Sequence, residues 1–181
     1  MNCYGGKQMG DAFRTVRRNT LKIAEEIPED RYSFKPTPDT RTVAQLLTHI
    51  ALVHRVPQQI HQVEKRTTLE GFNFPGMMQM LAAEEQQSRS KADIIDLLTR
   101  DGEAWASYLD GLSDAFLAEE VRMPPGMQPA VKTRFEMLLS PKEHEMHHRG
   151  QLMLLQRLIG QVPHLTRQRQ AMQAQFSPGR A

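Results

Sequence analysis

Three histidines lie where the surrounding apolar residues predict a helical interior. His144 and His148 are four residues apart, so on a helix they lie one above the other on a single face. Leu152 continues that face, which places the pair on a stripe directed at a core. His49 lies beside Ile50 on the apolar stripe of an earlier segment. If a bundle brings the two stripes together, the three imidazoles converge at one end of the core.

Three converging imidazoles indicate metal chemistry. A buried imidazole without a partner costs on the order of 1–3 kcal/mol, and a bound divalent ion removes that cost. Zinc and nickel both accept neutral imidazole, so the sequence does not distinguish between them. Three protein ligands leave at least one coordination position open for water or a substrate. Paired histidines also occur in ordinary cores, and that alternative stays open at this point.

The other histidines of these two segments lie off the predicted ligand faces. His147 is about 100° around the helix from His148. It is therefore expected to contact a ligand residue without coordinating the metal ion, or to stay partly exposed, unless it replaces one of the pair. His54 and His61 lie off the face that carries His49, and both are predicted to be surface residues.

Four segments with helical periodicity must position these residues. Their apolar residues recur three and four positions apart, and no convincing strand pattern is present. The predicted helices cover residues 11–27, 42–64, 90–112 and 140–160. Pro57 lies inside the second, which predicts a kink there or an early end near His54. Four amphipathic helices with long connecting loops predict an all-α fold, a four-helix bundle.

The last of these helices is predicted to begin at Ser140. Ser140 and Glu143 form a capping box with Pro141 at the first helical position, and a short helix is expected before it. Because the cap would engage Glu143, Glu145 is the other candidate for orienting a ligand imidazole. Gly160 is predicted to end the helix.

The length of 181 residues predicts one domain with short tails. Residues 1–10 are rich in glycine and are expected to be disordered or frayed. Residues 11–160 are predicted to form the bundle, and residues 161–181 a polar tail that is partly helical. Residues 65–87 are ambiguous, with one or two weakly helical turns.

Composition excludes several classes of protein. The formal net charge of +2 argues against a dedicated nucleic-acid-binding protein, so no direct contact with nucleic acid is expected. Cys3 is the single cysteine, which rules out an internal disulfide framework and a zinc site made of several thiolates. No apolar run is long enough to span a bilayer and no secretory signal is evident. A cytoplasmic location with no membrane attachment is the expectation.

Some apolar residues exceed the room in a single bundle core. Four of them, Met80, Leu81, Trp105 and Tyr108, are predicted to form an exposed patch. Such patches usually mark interfaces, and two-fold pairing is the commonest arrangement, so a homodimer is predicted.

Two long loops carry further apolar residues. They span residues 65–87 and 121–133 and contain Phe72, Phe74, Met77, Met123 and Met127. These residues are expected either to wall an apolar electrophile beside the open metal position or simply to cover the bundle end.

Two segments resemble those of a known family. VAQLLTHIA at residues 43–51 and HEMHHRGQLMLLQRLIG at residues 144–160 are similar to the ligand-bearing helices of the DinB/YfiT family of metalloproteins. The resemblance covers roughly residues 11–160. It implies a bundle that is often dimeric, with a three-histidine site for nickel, zinc or a similar ion. Carried over residue by residue, the ligands are His49, His144 and His148.

The resemblance also implies a range of activities. Some family members are thiol-dependent S-transferases or isomerases, in which the ion holds the thiol of a small cofactor such as bacillithiol or mycothiol. This chain would then bind a low-molecular-weight thiol and a small-molecule electrophile. The alternatives are a metal-dependent hydrolase and a non-catalytic, stress-related metal-binding bundle that acts through a partner.

Overall fold

Eight helices and a short hairpin make up the part of the chain that the computed structural model describes, residues 4–176. In chain order the helices are α1 (Gly6–Glu26), α2 (Val43–Leu52), α3 (Arg55–Pro57), α4 (Phe74–Glu85), α5 (Lys91–Asp110), α6 (Asp114–Ala118), α7 (Arg134–Leu158) and α8 (His164–Phe176). A 3₁₀ turn lies at Glu29–Arg31, a π-helical segment at Gln58–Val63, and the antiparallel strands are β1 (Glu120–Arg122) and β2 (Val131–Thr133).

Helices α1, α2, α5 and α7 form the bundle. Both α1 and α2 pack against α5 and α7, so the first two bundle helices lie diagonally opposite each other. Fully buried side chains from all four helices meet in the core, among them Ile23, Leu47, Leu98 and Leu152. The predicted all-α four-helix bundle is confirmed.

The first helix begins earlier than its apolar pattern indicates. It starts at Gly6, and a Cβ there would collide with the carbonyl oxygen of Leu109 on α5. A Cβ at Gly10 would likewise collide with the side chain of Asp110 and the carbonyl oxygen of Ala106. Glycine therefore allows α1 to approach α5 closely, and the expectation of a frayed segment is wrong for residues 6–10. Residues 1–3 lie outside the described part of the chain.

The segment after His49 departs from a single helix. Helix α2 ends at Leu52, and the chain then passes through α3 into the π-helical segment. The break precedes Pro57, at the earlier of the two predicted positions. Because the chain changes course here, positions beyond Leu52 do not follow the face assignments of a regular helix.

Helix α7 is one continuous element. The predicted start at Ser140 is wrong, because Thr133 and Glu136 form the capping box: the Thr133 backbone N–H donates to the Glu136 carboxylate at 2.7 Å. Pro141 lies inside the helix and is buried. Proline inside a helix costs about 3 kcal/mol. Buried residues on both sides of it, including Leu138 and Leu152, hold the helix together.

Smaller elements also differ from the sequence prediction. No strand was predicted, yet Val121 of β1 is buried and pairs with Lys132 of β2. Strands of three residues are too short to show an alternating pattern. Residues 74–85 form a regular helix inside the ambiguous stretch, and residues 164–176 of the polar tail form α8.

Across residues 4–176, no helix combines the length and apolar character needed to cross a membrane.

Candidate metal centre

The three predicted ligand histidines come together between α2 and α7. The Nε2 atom of His144 lies 3.3 Å from Nε2 of His49 and 3.1 Å from Nε2 of His148. One ring nitrogen from each residue lies within 4.8 Å of the other two. We call His49, His144 and His148 the histidine triad. Its proximity follows from the packing of the two apolar stripes predicted from the sequence.

A carboxylate fixes the ring of His49. Its Nδ1 lies 3.0 Å from Oε2 of Glu85, which is at the end of α4 and largely buried. The other oxygen of Glu85 accepts from Nε of Arg41 at 2.6 Å. Because a carboxylate can only accept, His49 carries its proton on Nδ1 and directs the lone pair of Nε2 at the triad.

An amide plays the same part at His148. Its Nδ1 donates to Oε1 of Gln151 at 2.7 Å, while Nε2 of Gln151 donates to Nε2 of His147 at 3.2 Å. The contact with His147 orients the amide so that its oxygen faces His148. His148 thus also presents a lone pair on Nε2. His147 lies outside the triad and is exposed.

The ring of His144 completes the triad. Its Nδ1 is buried and has no hydrogen-bond partner among residues 4–176. Burial, reinforced by the neighbouring His148 and His49, lowers the pKa of His144 to about 4. Burial likewise lowers the pKa of His49 and of His148. All three imidazoles are therefore neutral near pH 7, which is the form that coordinates a metal ion.

Glu145 does not contact the triad. Its carboxylate is fully buried and pairs with the guanidinium of Arg17, at 2.9 Å from Nη2. The sequence prediction that Glu145 orients a ligand is wrong, and Glu85 has that position instead. Glu85 was missed because it lies in the ambiguous stretch, and its relation to His49 depends on the packing of α4 against α2.

The prediction that His54 and His61 are surface residues is wrong. His54 is 3% exposed and its ring lies 5.6 Å from that of Trp105. His61 is 1% exposed and its Nδ1 lies 3.0 Å from Nη1 of Arg134. Both residues follow the break after Leu52, so a helical wheel drawn through residues 42–64 misplaces them.

The fold and the triad define a class of protein: an all-α four-helix bundle with three histidines converging between two of its helices. The DinB superfamily model matches residues 12–152, and the chain belongs to this family.

Two proteins of Bacillus subtilis show the similarity in detail. The uncharacterized protein YjoA is 25% identical over 153 residues, covering 84% of this chain and 90% of YjoA. The crystal structure of YjoA, a DinB-like protein, superposes with a TM-score of 0.62 at 22% identity, covering 86% of this chain and 94% of that one. YfiT, described as a probable metal-dependent hydrolase with an unusual four-helix bundle topology, gives 0.67 at 16% identity, covering 89% and 91%.

Proposed function

We propose that the histidine triad binds one divalent ion, zinc or nickel, and that the protein is a metal-dependent enzyme. The observation that carries this proposal is the convergence of two Nε2 lone pairs, from His49 and His148, on the third ring. Glu85 and Gln151 hold these two rings in the tautomer that coordination requires. Without an ion, the Nε2 lone pairs of His49 and His148 both point at Nε2 of His144. That nitrogen can carry at most one proton, which can satisfy only one of the two lone pairs.

An ion held by these three neutral imidazoles would keep its full charge and would lower the pKa of a thiol or water bound to it. The triad is open to solvent on the side of His49, whose side chain is 25% exposed. Glu85 is the carboxylate in contact with the triad, and both of its oxygens are engaged. It is thus poorly placed to serve as a general base, which favours a thiol because a bound thiolate needs no base.

On this ground we propose thiol-dependent S-transfer, in which the sulfur of a low-molecular-weight thiol attacks a carbon of a small-molecule electrophile. The sulfur–carbon bond forms as the bond to the leaving group breaks, and the leaving group takes the electron pair and the thiol proton. Hydrolysis is the second candidate, and the description of YfiT as a probable metal-dependent hydrolase supports it. Activation of bound water would then supply the nucleophile. A metal-binding bundle without catalytic activity is the outcome if neither chemistry is found.

Elemental analysis of protein purified without an affinity tag tests the site. We expect one zinc or nickel per chain in the wild type and less than a tenth of that in His148→Ala. His147→Ala is the matched control, because it removes a neighbouring imidazole that lies outside the triad, and it should retain the ion. Full occupancy in His148→Ala would refute the proposal.

Cobalt-substituted protein separates the two reactions. A thiol at millimolar concentration should add a thiolate-to-metal absorption band in the wild type and none in His148→Ala. If the spectrum and the thermal stability both remain unchanged by thiols, S-transfer is refuted. An assay of ester and amide hydrolysis with the same protein then decides between hydrolysis and the absence of catalysis.

We also propose that the protein is a homodimer, through a different face from the one first predicted. Trp105 is 1% exposed and belongs to the core of a single chain. Helix α7, however, exposes Met146, Leu154 and Leu158 on one face, where a Cβ at Gly150 would meet no atom within 4 Å. This spacing of four residues suits a second copy of the same helix.

Sedimentation of two matched variants tests the dimer. Leu154→Glu should reduce the mass to that of one chain, 20.7 kDa. Met80→Glu, in the patch first predicted, should leave the dimer intact. A wild-type protein that sediments as a single chain at all concentrations would refute the proposal.

A further inference from the structure

A cavity of about 360 Å³ lies between the π-helical segment, the hairpin and the first turns of α7. Its walls are mainly apolar and include Ile60, Leu69, Phe74, Met123 and Met137. Of the loop residues expected to wall an electrophile, Phe74, Met123 and Met127 line this cavity. Pockets of this size and character are typical of sites for small organic molecules.

One buried polar side chain, His61, belongs to the wall of this cavity. Nη1 of Arg134 donates to Nδ1 of His61 at 3.0 Å. Because a guanidinium has no acceptor, Nδ1 must hold the lone pair and Nε2 must carry the proton. This Nε2–H is buried and finds no acceptor in the described residues, 4–176.

The guanidinium that sets the tautomer of His61 is itself held in place by two further contacts. Arg134 is 1% exposed, and its Nε donates to Glu119 at 2.9 Å. Its guanidinium carbon also lies 4.5 Å from the ring centre of Phe116. Burial, reinforced by the positive charge of Arg134, lowers the pKa of His61 and keeps the ring neutral, and the same charge strengthens Nε2–H as a donor.

The cavity wall includes residues that are close in sequence to two members of the histidine triad. Val53, in the cavity wall, is one helical turn beyond His49 in sequence, and Pro141 is one turn before His144. These two wall residues are thus close in sequence to the triad, although no triad residue itself lines the cavity. At the rim, Lys132 and Glu136 carry opposite charges, so the cavity has no strong preference for an ionic ligand.

We propose that this cavity binds an apolar small molecule with one carbonyl-type oxygen, which accepts a hydrogen bond from Nε2 of His61. The apolar walls bury the hydrocarbon part, and the oxygen satisfies a donor that is otherwise without a partner. That this molecule is the electrophile or ester on which the triad acts rests on the proposed function. The binding itself does not depend on a metal ion.

Two naphthalenes of the same shape test the donor. 2-Acetylnaphthalene carries a carbonyl oxygen, and 2-ethylnaphthalene lacks it. We expect the ketone to bind the full-length wild type about tenfold more tightly, as one hydrogen bond predicts. His61→Phe should bind both compounds with equal affinity, and Val56→Phe, which fills the cavity, should bind neither.

Nitrogen NMR of histidine-labelled wild type provides a readout that needs no variant. It should show His61 protonated on Nε2, and the ketone should shift that resonance while the ethyl compound should not. Equal affinities for the two compounds, or no saturable binding of either, would overturn the inference.

His148→Ala distinguishes this inference from the proposed function. The variant should lose the metal ion but keep the tenfold preference for the ketone. If the wild type binds the ketone but contains no metal, the proposed function fails and the cavity assignment stands. If the wild type contains metal but does not discriminate between the two compounds, the cavity assignment fails and the proposed function stands.

Discussion

Two polar clusters lie side by side in the bundle, and they differ in how completely their polar atoms are paired. Around Arg17 and Glu145 the pairing is complete: the guanidinium contacts both carboxylate oxygens and donates to the carbonyls of Leu98 and Ile50. In the histidine triad, beginning one residue away at His144, ring nitrogens face one another without enough protons to satisfy them. The ion pair is almost fully buried, whereas the triad is partly open to solvent.

This difference separates a closed cluster from one that could still bind a cation, although both involve residues of the same helix. A closed, fully paired cluster has no capacity to bind anything further. In the triad, by contrast, the Nε2 lone pairs of His49 and His148 converge, and hydrogen bonds hold the opposite nitrogen of each ring. Such an arrangement is ready for a cation. Burial alone would have favoured Glu145 over Glu85 as a functional residue, and the pairing pattern reverses that choice.

The largest effect should come from breaking the ion pair. Glu145→Leu leaves the Arg17 charge buried without its partner, and we expect it to lower the free energy of unfolding by about 3–5 kcal/mol. The double variant Arg17→Met/Glu145→Leu should recover most of this loss. Urea denaturation monitored by circular dichroism measures both. A loss below about 1 kcal/mol in the single variant would mean that the pair has no structural role.

Glu85→Gln should weaken the triad without unfolding the bundle. Loss of the carboxylate that orients His49 should reduce metal affinity about 10–100-fold, as measured by competition with a chelator. Glu84→Gln is the matched control, since Glu84 pairs with Arg55 and does not contact the triad. Similar affinities for the two variants would show that the Glu85 contact does not tune the site.

Stability should depend on pH through buried histidines outside the triad. Burial lowers the pKa of His54 to about 3 and that of His61 to about 4, from an ordinary value of 6.5. The unfolded chain therefore binds protons below pH 6.5 that the folded chain does not. Stability should be greatest above pH 6.5 and should fall toward pH 4, by roughly 1.4 kcal/mol per pH unit for each such group.

Urea denaturation of metal-free protein at a series of pH values measures this dependence. His54→Leu should show a shallower decline below pH 6.5 than the wild type does. An unchanged slope in that variant would indicate that His54 is already protonated in the folded protein.

The smallest effect is expected for His147→Ala. This variant removes the hydrogen bond that orients the Gln151 amide, but it leaves the contact between Gln151 and His148 in place. Metal affinity should fall by less than about threefold, because a single exposed hydrogen bond has a small net value. A loss as large as that of His148→Ala would make His147 a ligand.

The triad could be predicted from the sequence because it depends on helical periodicity. His144 and His148 share a stripe with Leu152, and His49 shares one with Ile50, so bundle packing brings them together. The contact between Glu85 and His49 depends instead on how α4 packs against α2, which no local sequence pattern indicates. His54 and His61 were misplaced for a related reason: the chain breaks after Leu52, and regular periodicity no longer applies.

The uninterrupted course of α7 has a consequence for insertions and deletions. Its cap is fixed at Thr133, and His144 and His148 follow on the same rigid helix. One residue added between the cap and His144 would rotate both imidazoles by about 100° relative to the hairpin and the cap. Exposed positions in the first turns of α7 should therefore tolerate substitutions but not changes in length, whereas residues 124–126, in the loop between the two strands, should tolerate both.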